Sequence, residues 1–268
     1  MQQIAPEHMT IAAASGVGLQ RVAFDAPWLW LAAGWRDLWR LPCISLGYGA
    51  AFALIALALA GGLLVTGWAS LMLALGGGLL LIGPLAAVGL YAISRRLEAA
   101  QRVTLSELLR DTVRQSAGQL TFFGAVLAFV YIVWLQLALL LFMVFLGSKP
   151  FPPPSAFVPT LLFTPHGLGL LVVGTAVGGV LAAFVFAISV ISVPLLMTRR
   201  IDAVSAMAAS VACVLRNPKP MALWACLIAG FMLLGVASLF AGLVIAFPLI
   251  GHATWHAFRQ LVSDRPEA

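Results

Sequence analysis

His252-Ala253-Thr254-Trp255-His256 is the one stretch of this 268-residue chain whose residue types and spacing suggest chemistry. Four residues apart on a helix, two imidazoles share a face and can share a metal ion, so His252 and His256 are the candidate metal ligands. A zinc site takes three or four ligands. No Asp or Glu has matching local spacing, and Cys213 is the one further residue that could approach. The competing reading is an interfacial histidine pair with Trp255 as a membrane-belt residue; protonation sensing is a third. Haem is disfavoured, because two histidines on one face of one helix cannot sandwich it and CxxCH is absent. There is also no P-loop, GxSxG or HExxH. With no acid–base pair to nominate, an enzyme is not expected.

The elements that carry the pair are set by the distribution of charge. The chain is 62% hydrophobic and 9% charged, against about 25% charged in soluble domains. Fourteen of its fifteen Lys and Arg, and all nine Asp and Glu, fall in segments 1–40, 95–114, 199–219 and 259–268. Between them lie three apolar windows, Leu41–Ser94, Gln115–Thr198 and Pro220–Phe258, whose one formal charge is Lys149. A membrane span takes about 20 apolar residues. The windows therefore predict six spans, at about 42–65, 69–93, 119–147, 168–197, 219–236 and 239–260. The last window is short for two spans, and one span plus an interfacial helix is the alternative. A proline-rich loop, Ser148–Pro154, is expected to run on to Thr164-Pro165-His166-Gly167.

Six spans put every charged segment on one side. The basic excess makes that side the cytoplasm of a bacterial inner membrane, with both termini there. Residues 1–24 and 263–268 are expected to be tails, the first a disordered one, around a single domain at 25–262. His8 would lie in the tail and His166 across the membrane from the pair. Arg40, Arg95, Arg96, Arg114, Arg199, Arg200, Arg216 and Arg259 are expected as topology and headgroup anchors. The net charge of +6 is explained by these flanks, without a nucleic-acid partner. The expected partner is the bilayer, with a second copy or a membrane complex also open. The three cysteines show no disulfide spacing.

A repeat is visible as well. Three cytoplasmic segments read as amphipathic helices. The first has Trp28, Leu31, Ala32, Trp35 and Leu38 on one face. The second opens on a Thr104/Glu107 capping box. The third is capped by Asp202, with Val204, Met207, Ala208, Val211 and Leu215 on one face. They end at Arg40, Arg114 and Arg216. Each hairpin that follows carries Pro-Leu in its second span, at Pro84, Pro194 and Pro248. These prolines predict kinks whose freed carbonyls need partners. The expected fold is all-α and polytopic: six spans, three interfacial helices and a threefold hairpin pseudo-repeat. Gly174-x3-Gly178 and Gly76-Gly77-Gly78 fit close helix packing.

Gly34-Trp-Arg-Asp-Leu-Trp-Arg40, Gly89-Leu-Tyr-Ala-Ile-Ser-Arg-Arg96, Thr164-Pro-His-Gly167, Asn217-Pro-Lys-Pro-Met-Ala-Leu-Trp224 and Pro248-Leu-Ile-Gly-His-Ala-Thr-Trp-His-Ala-Phe-Arg259 carry a family resemblance over about 25–262. The chain resembles a bacterial family of predicted integral membrane proteins known as a domain of unknown function. Some members carry the label putative cytochrome c oxidase subunit I. The resemblance implies a fold but no activity, and four histidines do not match an oxidase ligand set. The expected function is a non-enzymatic inner-membrane factor supporting assembly or passage of a small or lipid-like solute. No cofactor is assigned. The alternatives are a metal- or haem-associated respiratory component using His252 and His256, and a neutral-solute transporter.

Overall fold

The computed structural model describes residues 17–67, 72–101, 117–147 and 154–263. The first half of that chain comprises a short strand β1 (Gly18–Leu19) and helices α1 (Ala26–Arg40), α2 (Pro42–Val65), α3 (Met72–Ala86), α4 (Val88–Glu98) and α5 (Ala117–Leu146). Helices α6 (Pro154–Phe163), α7 (Pro165–Ser189), α8 (Ser192–Thr198), α9 (Ala203–Arg216), α10 (Pro218–Ala237) and α11 (Leu243–Leu261) follow, and β2 (Val262–Ser263) comes last. Among the described residues, four stretches are long and apolar enough to cross a membrane: α2, most of α5, Pro165–Thr198 and α10. The capping-box helix at Thr104, Arg114 and the loop from Ser148 to Pro153 lie outside the described residues.

Two compact units divide the chain, and the long helices contribute to both. The second unit takes residues 54–83 and 124–185. Trp134 of α5 organises it. Its indole nitrogen donates to the Ala74 carbonyl of α3 at 2.7 Å. Gly77 of α3 and Gly178 of α7 leave room for the ring, since a methyl group on either would meet it at 3.3 and 3.1 Å. Gly76 and Gly174 face open space, so one glycine of each predicted group makes the close approach. The proline-rich loop is shorter than the sequence suggests. Pro154 begins α6, a position where its missing N–H costs nothing and its fixed φ favours the helix.

The first unit takes 1–53, 84–123 and 186–268, and α11 runs through its centre. Three glycines set the approach of its neighbours. A methyl on Gly34 of α1 would sit 2.6 Å from the Ala253 nitrogen, and one on Gly49 of α2 would sit 2.2 Å from the Val244 carbonyl oxygen. A methyl on Gly251 would sit 2.5 Å from Leu90 of α4. Small residues at such contacts let helices pack backbone to backbone, the usual device where lipid removes the hydrophobic drive between helices. Residues 17–24, which the sequence reading places in a tail, are ordered. Gly18 and Leu19 pair antiparallel with Ser263 and Val262. Asn217 binds the same segment, accepting from Val22 N–H at 3.0 Å and donating to the Gln20 carbonyl at 3.0 Å.

The prolines act in three different ways. Past Pro84 the helix breaks at Ala87, and the Tyr48 hydroxyl donates to the Ala86 carbonyl. The break near Pro194 falls before it, at Val190–Ile191. There the Ser192 hydroxyl donates to Ile188 O and the Ile191 N–H to Ser210 Oγ at 3.4 Å. At Pro248 the helix is continuous, and Gly49 packs on the Val244 carbonyl that the proline leaves without its N–H partner. The Pro-Leu pairs therefore do not hold equivalent positions relative to the breaks. The helix junctions repeat more closely. Leu41 between α1 and α2 has φ −135°, ψ 61°, and Asn217 between α9 and α10 has φ −129°, ψ 51°. Each is a one-residue join before a proline.

The expected apolar faces are only partly buried: in α1 Leu31 and Leu38 turn inward, while Ala32 lies outside with Trp28 and Trp35. In α1 the buried residues include Trp30, Leu31, Gly34, Asp37 and Leu38, whereas Trp28 and Trp35 are exposed. Asp202 caps α9 as expected, accepting from Ser205 N–H at 2.9 Å. Its buried face is Ala203, Ala206, Ala209, Ser210, Ala212 and Cys213, with Val204 and Leu215 outside. Beside lipid, small residues pack inward and bulky apolar ones can face out.

A buried polar cluster as the candidate functional site

Helix α11 brings His252 and His256 to one face, and α1, α2 and α4 supply what they touch. His252 is fully buried. Its Nε2 lies 3.0 Å from Ser45 Oγ of α2, and its Nδ1 lies 2.8 Å from Ser94 Oγ of α4. Ser94 in turn donates to Asp37 Oδ2 of α1 at 2.9 Å. His256 Nε2 is 2.7 Å from the same Asp37 oxygen, and the mostly exposed Arg40 approaches Oδ1 at 3.5 Å. The result is one hydrogen-bonded chain from Ser45 through His252, Ser94 and Asp37 to His256. It ties four helices together within the first unit.

The protons in this chain are ordered by its charge. Asp37 is almost wholly buried. Burial alone would raise its pKa, but hydrogen bonds from His256 and Ser94 hold it below the ordinary 3.8. An ionised Asp37 only accepts. Ser94 therefore spends its one proton on Asp37, and its oxygen is left to accept from His252. A neutral His252 then carries its proton on Nδ1 and takes the Ser45 proton at Nε2. Both ring nitrogens of His252 and both oxygens of Asp37 thus have partners, as burial demands.

A second cluster lies one turn along. Glu98, the last residue of α4, accepts from Trp255 Nε1 at 3.0 Å and from Arg259 Nε at 3.0 Å. Arg95 donates to the Met197 carbonyl at 2.9 Å, and Arg199 to the Ser263 carbonyl at 2.6 Å. Arg95, Arg199 and Arg259 thus hold protein groups, as Arg40 does at Asp37. Arg40 and Arg216 end α1 and α9, Arg96 lies in the last turn of α4, and Arg200 is exposed.

The spacing within α11 discloses the histidine pair, whereas Asp37, Ser45 and Ser94 join it only through the fold. One signal for Asp37 was present. It falls seven residues after Trp30 and three after Gly34, so an acid lies on the helix stripe opposite Trp28 and Trp35. Cys213, weighed as a third ligand, is buried in α9 beside Asn217. Among the described residues, no three His, Cys, Asp or Glu side chains converge as metal ligands.

No curated protein and no solved structure matches the chain. Ser94, Glu98, Pro84 and Pro194 lie within a stretch that matches a known family model; Asp37, Ser45, His252, His256 and Pro248 lie outside it. Residues 71–198 match the family model described as predicted integral membrane protein (DUF2189), a domain of unknown function.

Proposed function

We propose that this integral membrane protein is a non-enzymatic factor of the bacterial inner membrane, and that it supports the assembly of other membrane components. The observation that carries this reading is the saturation of the polar cluster. Both nitrogens of His252 and both oxygens of Asp37 are engaged by the protein itself. A nucleophile, base or ligand needs a free lone pair facing a substrate; here the lone pairs face one another. The cluster reads as a lock that holds α1, α2, α4 and α11 as one body.

Six spans with both termini in the cytoplasm complete the proposal. Its support is the four long apolar stretches, the α10–α11 turn at residues 238–242 and the basic ends of the helices. The matching junctions at Leu41 and Asn217 support a hairpin repeat in at least its first and third units. Hydroxyls of Tyr48, Ser192 and Ser210 satisfy backbone groups at the breaks near Pro84 and Pro194, which favours support over passage of a small or lipid-like solute.

The rival reading places a metal or haem at His252 and His256. It requires His252 Nε2 to leave Ser45 and His256 Nε2 to leave Asp37. Elemental and haem analysis of the full chain, purified in mild detergent without chelators, separates the two. The lock predicts substoichiometric metal and haem in a preparation that is folded and melts cooperatively. One metal or haem per chain, lost in a His252→Gln/His256→Gln variant that still folds, would replace the lock with a cofactor site.

A further inference from the structure

The inner face of α1 is fully used by the protein; its outer face is not. Trp30 donates to Gln260 and meets Trp224 edge to face at 5.6 Å. Gly34 lies on Ala253 and Asp37 holds His256. On the opposite side, Trp28, Trp35 and Trp39 are 55%, 45% and 50% exposed. Spacings of seven and four residues place them in one stripe along the helix. Trp35 and Trp39 meet edge to face at 5.6 Å.

This stripe differs from the other exposed apolar surface. The long apolar helices expose Leu, Ile, Val, Phe and Met; among the described residues, the exposed tryptophans are all on α1. Indole rings concentrate at the headgroup level of a bilayer, where an apolar ring and a polar N–H are both accommodated. Arg36 and Arg40, both exposed, lie along one edge of the stripe. The helix's own acid, Asp37, is turned inward, and Asp25 stands at its N-terminal end. Finally, α1 enters the apolar helix α2 through the single residue Leu41, which fixes it at the mouth of a span.

We infer that the outer face of α1 is a docking surface for anionic phospholipid headgroups. The three indoles sit in the headgroup layer, and Arg36 and Arg40 meet lipid phosphates. Basic residues at such a surface are attracted to an anionic leaflet. Val204 and Leu215 on the outer side of α9 are placed in the same way.

The test uses the full chain reconstituted in vesicles of phosphatidylcholine, with and without phosphatidylglycerol. Both sets include lipids brominated high on the acyl chain. The emission of Trp28, Trp35 and Trp39 is the difference between wild type and a Trp28→Phe/Trp35→Phe/Trp39→Phe variant. That difference should be blue-shifted, quenched by brominated lipid and poorly quenched by aqueous iodide. Quenching should rise at least twofold with phosphatidylglycerol at low salt, and Arg36→Gln should remove most of that rise. Equal quenching in both vesicles would overturn the anionic preference. Iodide-accessible emission, or emission shielded from both quenchers alongside a cross-linked dimer, would overturn the lipid surface itself.

Discussion

Replacing Asp37 with alanine is expected to destabilise the protein by about 3–5 kcal/mol, the range for removing one partner of a buried charged pair. Three groups lose their acceptor: Ser94, His256 and Arg40. The loss also frees Ser94 to turn, so His252 loses its ordered partner one step away. Chemical unfolding of the full chain in detergent measures it. Asp37→Asn keeps the shape and one acceptor, and should cost about 1–3 kcal/mol. The two variants also separate shape from charge through pH. Asp37 has a folded pKa below its unfolded value, so its contribution is fully present above about pH 4. It fades as pH falls through the folded value. The stability gap between wild type and Asp37→Asn should therefore be wide at neutral pH and close in strong acid. A gap that stays constant down to pH 2 would mean that the carboxylate charge contributes nothing.

Gly49→Ala is the second change with a large expected effect. Its new methyl would lie 2.2 Å from the Val244 oxygen and 2.9 Å from Pro248 Cδ. Neither atom is at the end of a flexible side chain, so α2 and α11 must separate. Overpacking of this kind costs about 1–3 kcal/mol, and backbone on backbone belongs at the upper end. The control is one half-turn away. Gly47 meets nothing within 4 Å, so Gly47→Ala should gain about 0.5–1 kcal/mol from helix propensity. Opposite signs from two glycines on one helix would locate the constraint in the α2–α11 contact. Equal small effects at both would show that α11 is not held there.

The same two sites show what the sequence could disclose. Runs of apolar residues between charged segments marked the helices well: α2 covers Pro42–Val65 and α10 covers Pro218–Ala237, beside expectations of 42–65 and 219–236. Prolines and glycines marked breaks and turns because they act through local backbone geometry. The expected second span at about 69–93 divides at Ala87, since a proline predicts a break but not which side of it gives way. The cluster was far less legible. His252 and His256 signalled themselves by spacing within one helix. Asp37 and His256 meet across 219 positions, a pairing that depends on how α1 rolls against α11. The pattern of α1 does not set that roll, because Leu31 and Leu38 turn inward while Trp28 and Trp35 of the same stripe turn outward. Ser45 and Ser94 were single hydroxyls in apolar helices, and no local pattern sets such serines apart from packing residues.

The most direct measurement of the lock is the nitrogen-15 spectrum of His252 in the full chain, assigned with a His252→Gln variant and recorded before and after adding zinc. A lock closed by Ser94 and Ser45 predicts a neutral ring with its proton on Nδ1 and a bare, hydrogen-bonded Nε2, unmoved by zinc. A ring protonated on Nε2, or an Nε2 resonance that zinc shifts, would contradict it and return the histidine pair to the role of ligand.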